Sequence, residues 1–353
     1  MTKTILKDRH TPILDSYMAR GAAFLGVKYP VICGAMTWVS DHKLVGAVSN
    51  QGGFGQLAGG NAPVEALRNE IEQTRKVTDK PFGVNLITVA PNYQSHLDMV
   101  LEMNVPVIIF AGAIPKGKEI EHAKETGAKV ICFASTDALA MRLISMGADG
   151  LILEGSEAGG HIGPVSLTVL IQQILFKIDS VPIFTAGGIA TGKMAAHMLM
   201  MGAAGIQMGT RFVMSEECNV HPAFKTAFAK AKARDAVATP QFDSRLPVIP
   251  VRALKNASSV EFARLQLRLL SEMDDGLIDQ MTAQYEVEHF WMGGLRRAVV
   301  DGDVETGSIM AGQSVGLMET VQPLSEIFDE LLLDAESALE KTYAAMRAVK
   351  ETL

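Results

Sequence analysis

VPIFTAGGIATGKMAAHMLMMGAAGIQMGTRF (residues 181–212) contains two apolar runs, VPIFTAGG and GIQMGTRF, separated by a stretch of helical character. Neither run alternates apolar with polar residues, the pattern expected of strands covered on both faces in a parallel sheet. The first run ends in Gly187-Gly188 and the second carries Gly209 after its apolar stretch, so the unit reads strand, turn, helix, strand. The same rhythm recurs upstream in VICGAM (31–36), GFGQLAG (53–59), FGVNLIT (82–88), VPVIIFAG (105–112), KVICFAS (129–135) and GLILEGS (150–156). Between them, APVEALRNEIEQTRK (62–76) sets Val64, Leu67 and Ile71 on one helical face, and STDALAMRLISMGA (135–148) offers Ser135 or Thr136 as N-cap and Gly147 near its end. Such alternation from residue 30 to 212 predicts an α/β fold, a (β/α)₈ TIM barrel; a doubly wound open sheet is the alternative the pattern leaves.

Beyond residue 213 the texture changes. KTAFAKAKARDA (225–236), VEFARLQLRLLSEMDDGLIDQM (260–281) and LSEIFDELLLDAESALEKTYAAMRAVKETL (324–353) read as helices, and the loop ATPQFDSRLPVIPVRAL (238–254) carries three prolines. The expected organisation is a barrel over 25–215, a helical subdomain over 216–320 covering the barrel mouth, and a C-terminal helix over 321–353 packing back on the barrel.

Composition narrows the function. Hydrophobic residues make up 48% and charged residues 20%, ample for a large core. The net charge of −7 does not suit a nucleic-acid binder. Cys33, Cys132 and Cys218 are far apart and form no CxxC pair, as expected of reduced thiols. With no signal-like or membrane-spanning apolar run, a soluble, cytoplasmic protein is expected. No HxH, HExxH or carboxylate cluster has metal-ligand spacing, so no metal is expected. His10, His42, His96, His122 and His197 fall on predicted helices or the surface, and His221 and His289 lack a partner pattern.

Barrels of this kind carry their chemistry on the loops after the strands. The residues there are Gly34-Ala35-Met36, Gly59-Gly60, Asn85, Gly112, Ser135, Glu154 with 157–161, Ala186-Gly187-Gly188 and Gly209-Thr210. Glycines at such positions let backbone N–H groups approach a phosphate, and TAGGIATGK (185–193) adds the N-terminus of the following helix. The plainer reading is a set of tight strand-to-helix turns. Gly187, Gly192 and Lys193 also have GxxxxGK spacing, but Met194 lacks the hydroxyl that a triphosphate loop needs to hold Mg²⁺.

EGSEAGGHIG (154–163) sets His161 after two glycines, exposed at the mouth. Imidazole suits proton transfer near neutral pH, although a histidine there can equally bind a loop or a phosphate. GDVETGSIMAGQSVGL (302–317) has the composition of an ordered loop reaching back to a ligand, rather than an ordinary linker.

PVICGAMTWVSDHKLVGAVSNQGGFG, KPFGVNL, EGSEAGGHIG and TAGGIATGKMAAHMLMMGAAGIQMGTRF resemble the nitronate monooxygenase (2-nitropropane dioxygenase) family, whose fold the FabK-type flavin-dependent enoyl-acyl-carrier-protein reductases share. The resemblance runs from about residue 25 to 320 and implies FMN at the mouth of a lidded TIM barrel. It implies Gly34, Ala35 and Met36 against the flavin ring, Asn85 at the ring edge and Glu154 near the ribityl chain. Gly187, Gly188, Gly209 and Thr210 would hold the phosphate. Gly160, Met310, Gly312 and Gln313 would also contact the cofactor, and His161 matches the catalytic histidine. The first expected activity is oxidation of alkyl nitronates by O₂ to carbonyl compounds and nitrite. The alternative is NAD(P)H-dependent reduction of enoyl thioesters or quinones, and a flavin-binding barrel without turnover is a third reading. GGNAP (59–63), GGHIG and 302–317 look closer to the enoyl reductases, whereas 1–24 and 245–295 depart from their compact pattern. Under the alternative, Lys225, Lys230, Lys232 and Arg234 could steer acyl carrier protein, the plainer reading being a solvated helix face. A homodimer is compatible with either activity.

Overall fold

The computed structural model describes residues 9–60, 62–246 and 250–352, with side chains to 349. Eight parallel strands close a barrel in the order β1-β2-β3-β4-β5-β6-β8-β9. They are β1 (Val31–Cys33), β2 (Phe54–Ala58), β3 (Phe82–Ile87), β4 (Val107–Ala111), β5 (Lys129–Phe133), β6 (Gly150–Glu154), β8 (Ile183–Ala186) and β9 (Gly205–Met208). Each lies inside one of the eight apolar runs. Ile32 of β1 pairs with Phe54 of β2 on one side and Gln207 of β9 on the other, which closes the sheet and removes the open-sheet alternative.

Strand residues alternate between two environments, as period two requires. Val31, Cys33, Val84, Leu86, Leu151, Leu153, Ile206 and Met208 belong to the core shared with the helices. Ile32, Phe54, Ile109, Ile131, Ile152 and Phe184 form a separate cluster inside the barrel. Continuing that alternation towards the strand ends brings Gly34, Gln56, Asn85, Glu154 and Gln207 to the inner face at the mouth. The apolar floor thus gives way to a polar layer.

The helix Leu324–Thr352 supplies the eighth outer helix, and its polar side chains cap other elements. Asp334 Oδ2 accepts from Lys193 N at 3.0 Å, at the start of helix Gly192–Met200. Glu336 accepts from Ile13 N and Leu14 N at 3.0 and 2.7 Å, at the start of helix Pro12–Leu25. Both carboxylates sit where free N–H groups and the helix dipole favour negative charge. Phe328 is fully buried, with ring centroids 6.0 Å from Phe212 and 6.5 Å from Tyr29. We expect Phe328→Ala to lower unfolding free energy by about 3–5 kcal/mol, read from urea denaturation. A loss under roughly 1 kcal/mol would show that this helix does not rely on its aromatic anchor.

The segment between β9 and this helix departs most from expectation. The single helix expected over 260–281 is two helices, Ala257–Asp274 and Gln280–Arg296, parted by Gly276 at φ 70° and capped anew by Asp279. The pair shares a core of Phe262, Leu269, Ala283, Val287 and Trp291. The helix expected over 225–236 is Pro222–Lys230, followed by a short turn of 3₁₀ helix at Ala233–Asp235. The proline-rich loop contains strand, with 247–249 outside the described residues. β10 (Ala236–Ala238), β11 (Val251–Leu254) and β7 (Gly160–His161) form an antiparallel sheet in the order β10-β11-β7. It joins the segment after β9 to the histidine loop.

Candidate active site

The mouth is built from the loop after each strand. After β1, Ser40 Oγ donates to Gly34 O and accepts from Met36 N, both at 3.0 Å, which fixes the 34–36 turn. A Cβ on Gly34 would lie 3.3 Å from the Gln207 side chain, and one on Gly209 would lie 3.3 Å from Met36 Sδ. Gly209 has φ −114°, which any residue adopts, so its backbone does not require glycine. Gly187 and Gly188 are left-handed at φ 95° and 70°, and a Cβ on Gly187 would lie 2.9 Å from Gly155 O. The tight-turn reading therefore accounts for Gly187, while Gly34 and Gly209 are small because of what lies beside them. Gly59 and Gly60 also line this rim; Asn61 of the GGNAP motif lies outside the described residues.

One expected contribution is absent. The N-terminus of helix Gly192–Met200 is already occupied by protein: Thr191 caps Met194 N, Asp334 takes Lys193 N, and Gly192 lies against the Leu331 carbonyl. That position is already filled by carboxylate, so phosphate has no place there. Lys193 also lies beside Asp334, at 3.9 Å, which ends the triphosphate-loop reading.

The loop 302–317 does return to the mouth. Gly312 N donates to Thr210 Oγ1 at 3.0 Å, and Gln313 N donates to Glu157 O at 2.9 Å. A Cβ on Gly159 would lie 2.5 Å from Gly312 N, so two backbones meet where only glycine fits. Met310 bridges Ala253, and its Sδ lies 3.7 Å from where a Gly160 Cβ would be. The loop thereby clamps the histidine motif to the end of β9 and to β11.

His161 is held through its backbone, paired with Val251 across β7 and β11, while Ile162 N donates to Pro250 O at 2.9 Å. Its side chain is 45% exposed to solvent, with Nε2 4.0 Å from Glu288 Oε1. Crowding lowers its proton affinity and the Glu288 carboxylate pulls the other way, with a net lowering. The resting imidazole is thus mainly neutral at pH 7. Glu154, at the end of β6, has its carboxyl pushed up to about 8 by desolvation. Asn85 is buried within the β3 wall.

Four residues near the mouth were not picked out from sequence. Gln56 Nε2 donates to Gln207 Oε1 at 2.7 Å, and the buried Gln56 Oε1 has no protein partner. Both sit inside apolar runs, and only the period-two register relative to Ile32 and Phe54 could have aimed them inward. Arg252, buried on β11, donates to Ser156 O at 2.9 Å and Ala236 O at 2.6 Å. Glu288 comes from helix Gln280–Arg296, with no local signature. Cys33 is fully buried on the helix side of β1, and burial raises its thiol proton affinity, so it packs rather than faces the mouth. Lys225 donates to Ser215 O at 2.6 Å and so is not free to steer a partner. Among the described residues, no group of His, Cys, Asp and Glu is placed to hold a metal, and no helix is long and apolar enough to cross a membrane.

Comparison with known proteins places this architecture. The family model described as nitronate monooxygenase matches residues 19–93 and 87–334. A Mycobacterium tuberculosis protein named (3aS,4S,5R,7aS)-5-hydroxy-7a-methyl-1-oxo-octahydro-1H-indene-4-carboxyl-CoA dehydrogenase is 32% identical, the match covering 91% of this chain and 96% of that protein. A Staphylococcus aureus probable nitronate monooxygenase is 27% identical, covering 87% and 94% respectively. The structure of FabK from Thermotoga maritima superposes with a TM-score of 0.81 at 37% identity, over 92% of this chain and 98% of that one. A family match across most of the chain, on a closed parallel barrel, makes this protein an oxidoreductase of the nitronate monooxygenase family.

Proposed function

We propose that this chain binds FMN at the barrel mouth and reduces enoyl thioesters with NAD(P)H, His161 moving the proton at the carbon next to the thioester carbonyl. The observation that carries the reading is His161 itself, clamped by β11 at the edge of a glycine-lined, polar-layered mouth and still open to solvent. The residues fit a flavin. Gly34 and Gly209 keep the backbone bare at the mouth, where an added Cβ would already lie 3.3 Å from Gln207 and from Met36 Sδ, and Gln56 keeps a buried oxygen without a protein partner.

In this reading Gly34, Ala35 and Met36 line the flavin ring, with Asn85 at its edge. Gly187, Gly188, Gly209 and Thr210 hold the phosphate. Glu154, largely protonated at neutral pH, can donate to a ribityl hydroxyl as well as accept. Gly160, Met310, Gly312 and Gln313 close the site from the loop side. The division into barrel (25–215), lid (216–320) and closing helix (321–353) belongs to the same proposal. Bound FMN supplies the hydride chemistry. His161 gives a proton to the substrate carbon and regains it from solvent through its exposed side. Its lowered proton affinity makes the protonated form a ready donor.

Sequence alone puts nitronate oxidation first. The thioester reading moves ahead because a 32%-identical relative is named for a carboxyl-CoA substrate and a 37%-identical structure is FabK, against 27% for the S. aureus nitronate protein. Nitronate oxidation with O₂ stays as the second reading, favoured by the family match. There the neutral His161 would take the α-proton of a nitroalkane. Anaerobic mixing distinguishes the two. We expect NADH or NADPH to bleach the flavin and a trans-2-enoyl-CoA to restore its colour. Bleaching by propyl nitronate, with none by either nicotinamide, would reverse the order.

A further inference from the structure

The lid reaches His161 twice. β11 fixes its backbone, and helix Gln280–Arg296 brings Glu288, whose Oε1 stands 4.0 Å from His161 Nε2. The helix is firmly held. Ala283, Val287, Trp291 and Leu295 recur every four residues as its buried face, and Trp291 packs on Phe262 with ring centroids 4.2 Å apart. Its start is capped by Asp279, which accepts from Thr282 N at 2.8 Å. Successive helical residues turn by about 100°, so Glu288, next to Val287, projects clear of the hairpin core. The carboxylate is thus carried by a rigid element sewn to the strand that carries the imidazole.

The other charged groups around this loop are engaged elsewhere. Arg252, which pairs with Gly160, turns its guanidinium to Ser156 O and Ala236 O. Glu157 accepts from Leu167 N at 3.1 Å. Glu154 ends β6 on the barrel side, and the loop 302–317 presents the uncharged Met310. Among the described residues, Glu288 is the charged group at ion-pair distance from His161.

We infer that Glu288 is a positioning residue for His161: its carboxylate holds Nε2–H towards the lid and leaves Nδ1 to the reacting substrate. The inference rests on the reading of His161 as the proton-transfer group. At 4.0 Å the contact is longer than a direct hydrogen bond and becomes an ion pair when His161 is protonated, so it acts through charge and orientation. Burial and Glu288 push His161 in opposite directions. Removing the charge leaves burial alone, and His161 then protonates at lower pH.

The test is ¹⁵N NMR of histidine-labelled holoenzyme, with the His161 signals assigned through His161→Gln. In Glu288→Gln we expect the His161 midpoint to fall by roughly half to one pH unit and the Nε2–H tautomer to lose its dominance. Glu288→Asp, which keeps the charge on a shorter arm, should fall in between. A proton donor loses activity as pH rises through its midpoint, so the alkaline limb of the kcat/KM profile should move down with it. An unchanged midpoint and tautomer in Glu288→Gln would overturn the inference whatever the substrate. A moved midpoint with an unmoved rate profile would keep the pair and instead remove His161 from the proton transfer.

Discussion

His161→Ala is expected to leave the protein yellow and almost inactive. A positioned general acid or base contributes about 10²–10⁴-fold, and turnover should fall by that order. The flavin should stay, because the imidazole sits at the rim with 45% of its side chain in solvent, outside the glycine cradle. β7 should stay too, since its pairing with β11 uses main-chain groups. Stopped-flow traces would show NAD(P)H bleaching the flavin much as before, with the enoyl thioester failing to restore its colour at the wild-type rate. Turnover within about threefold of wild type would make His161 a structural histidine, since the proton-transfer role requires a much larger loss.

Gly209→Val should weaken FMN binding by roughly 100-fold or more while barely changing stability, because it removes close backbone approach and places two methyl groups in the cradle. This glycine separates cradle from turn better than its neighbours. Its φ of −114° imposes no need for glycine, and Met36 Sδ, the end of a flexible side chain, is the nearest atom to an added Cβ. A substitution at Gly187 would instead drive a side chain into the Gly155 backbone and confuse folding with binding. Flavin titration of the apo-protein measures the affinity, and urea denaturation of the same apo-protein checks the fold. Wild-type affinity in Gly209→Val would place the phosphate elsewhere.

The barrel was legible because a strand buried on both sides writes a continuous apolar run, and eight such runs need no partner to be recognised. The polar mouth was only partly legible. Glycine and the residues next to it announce themselves at strand ends, whereas Gln56 and Gln207 hide within apolar runs until the register is known. The small sheet escaped notice because two to four residues, as in Gly160–His161 and Val251–Leu254, are too few to show a period. Helix Pro12–Leu25 has a sequence signal of its own: Pro12 at the first turn, with Leu14, Met18 and Leu25 on one face. The occupied helix N-terminus is different in kind. Nothing near Gly192 says that Asp334, contributed by the last helix, will occupy it. Glu288 is likewise a product of tertiary packing, more than a hundred residues from the histidine it faces.

The central claim is FMN beside His161 at the barrel mouth, and the flavin itself tests it most directly. Protein purified and denatured by heat should release FMN in equimolar amount, identified by mass and chromatography, and the emptied protein should take FMN back in preference to FAD. A colourless protein that binds neither flavin after reconstitution, or one that releases FAD, would contradict it.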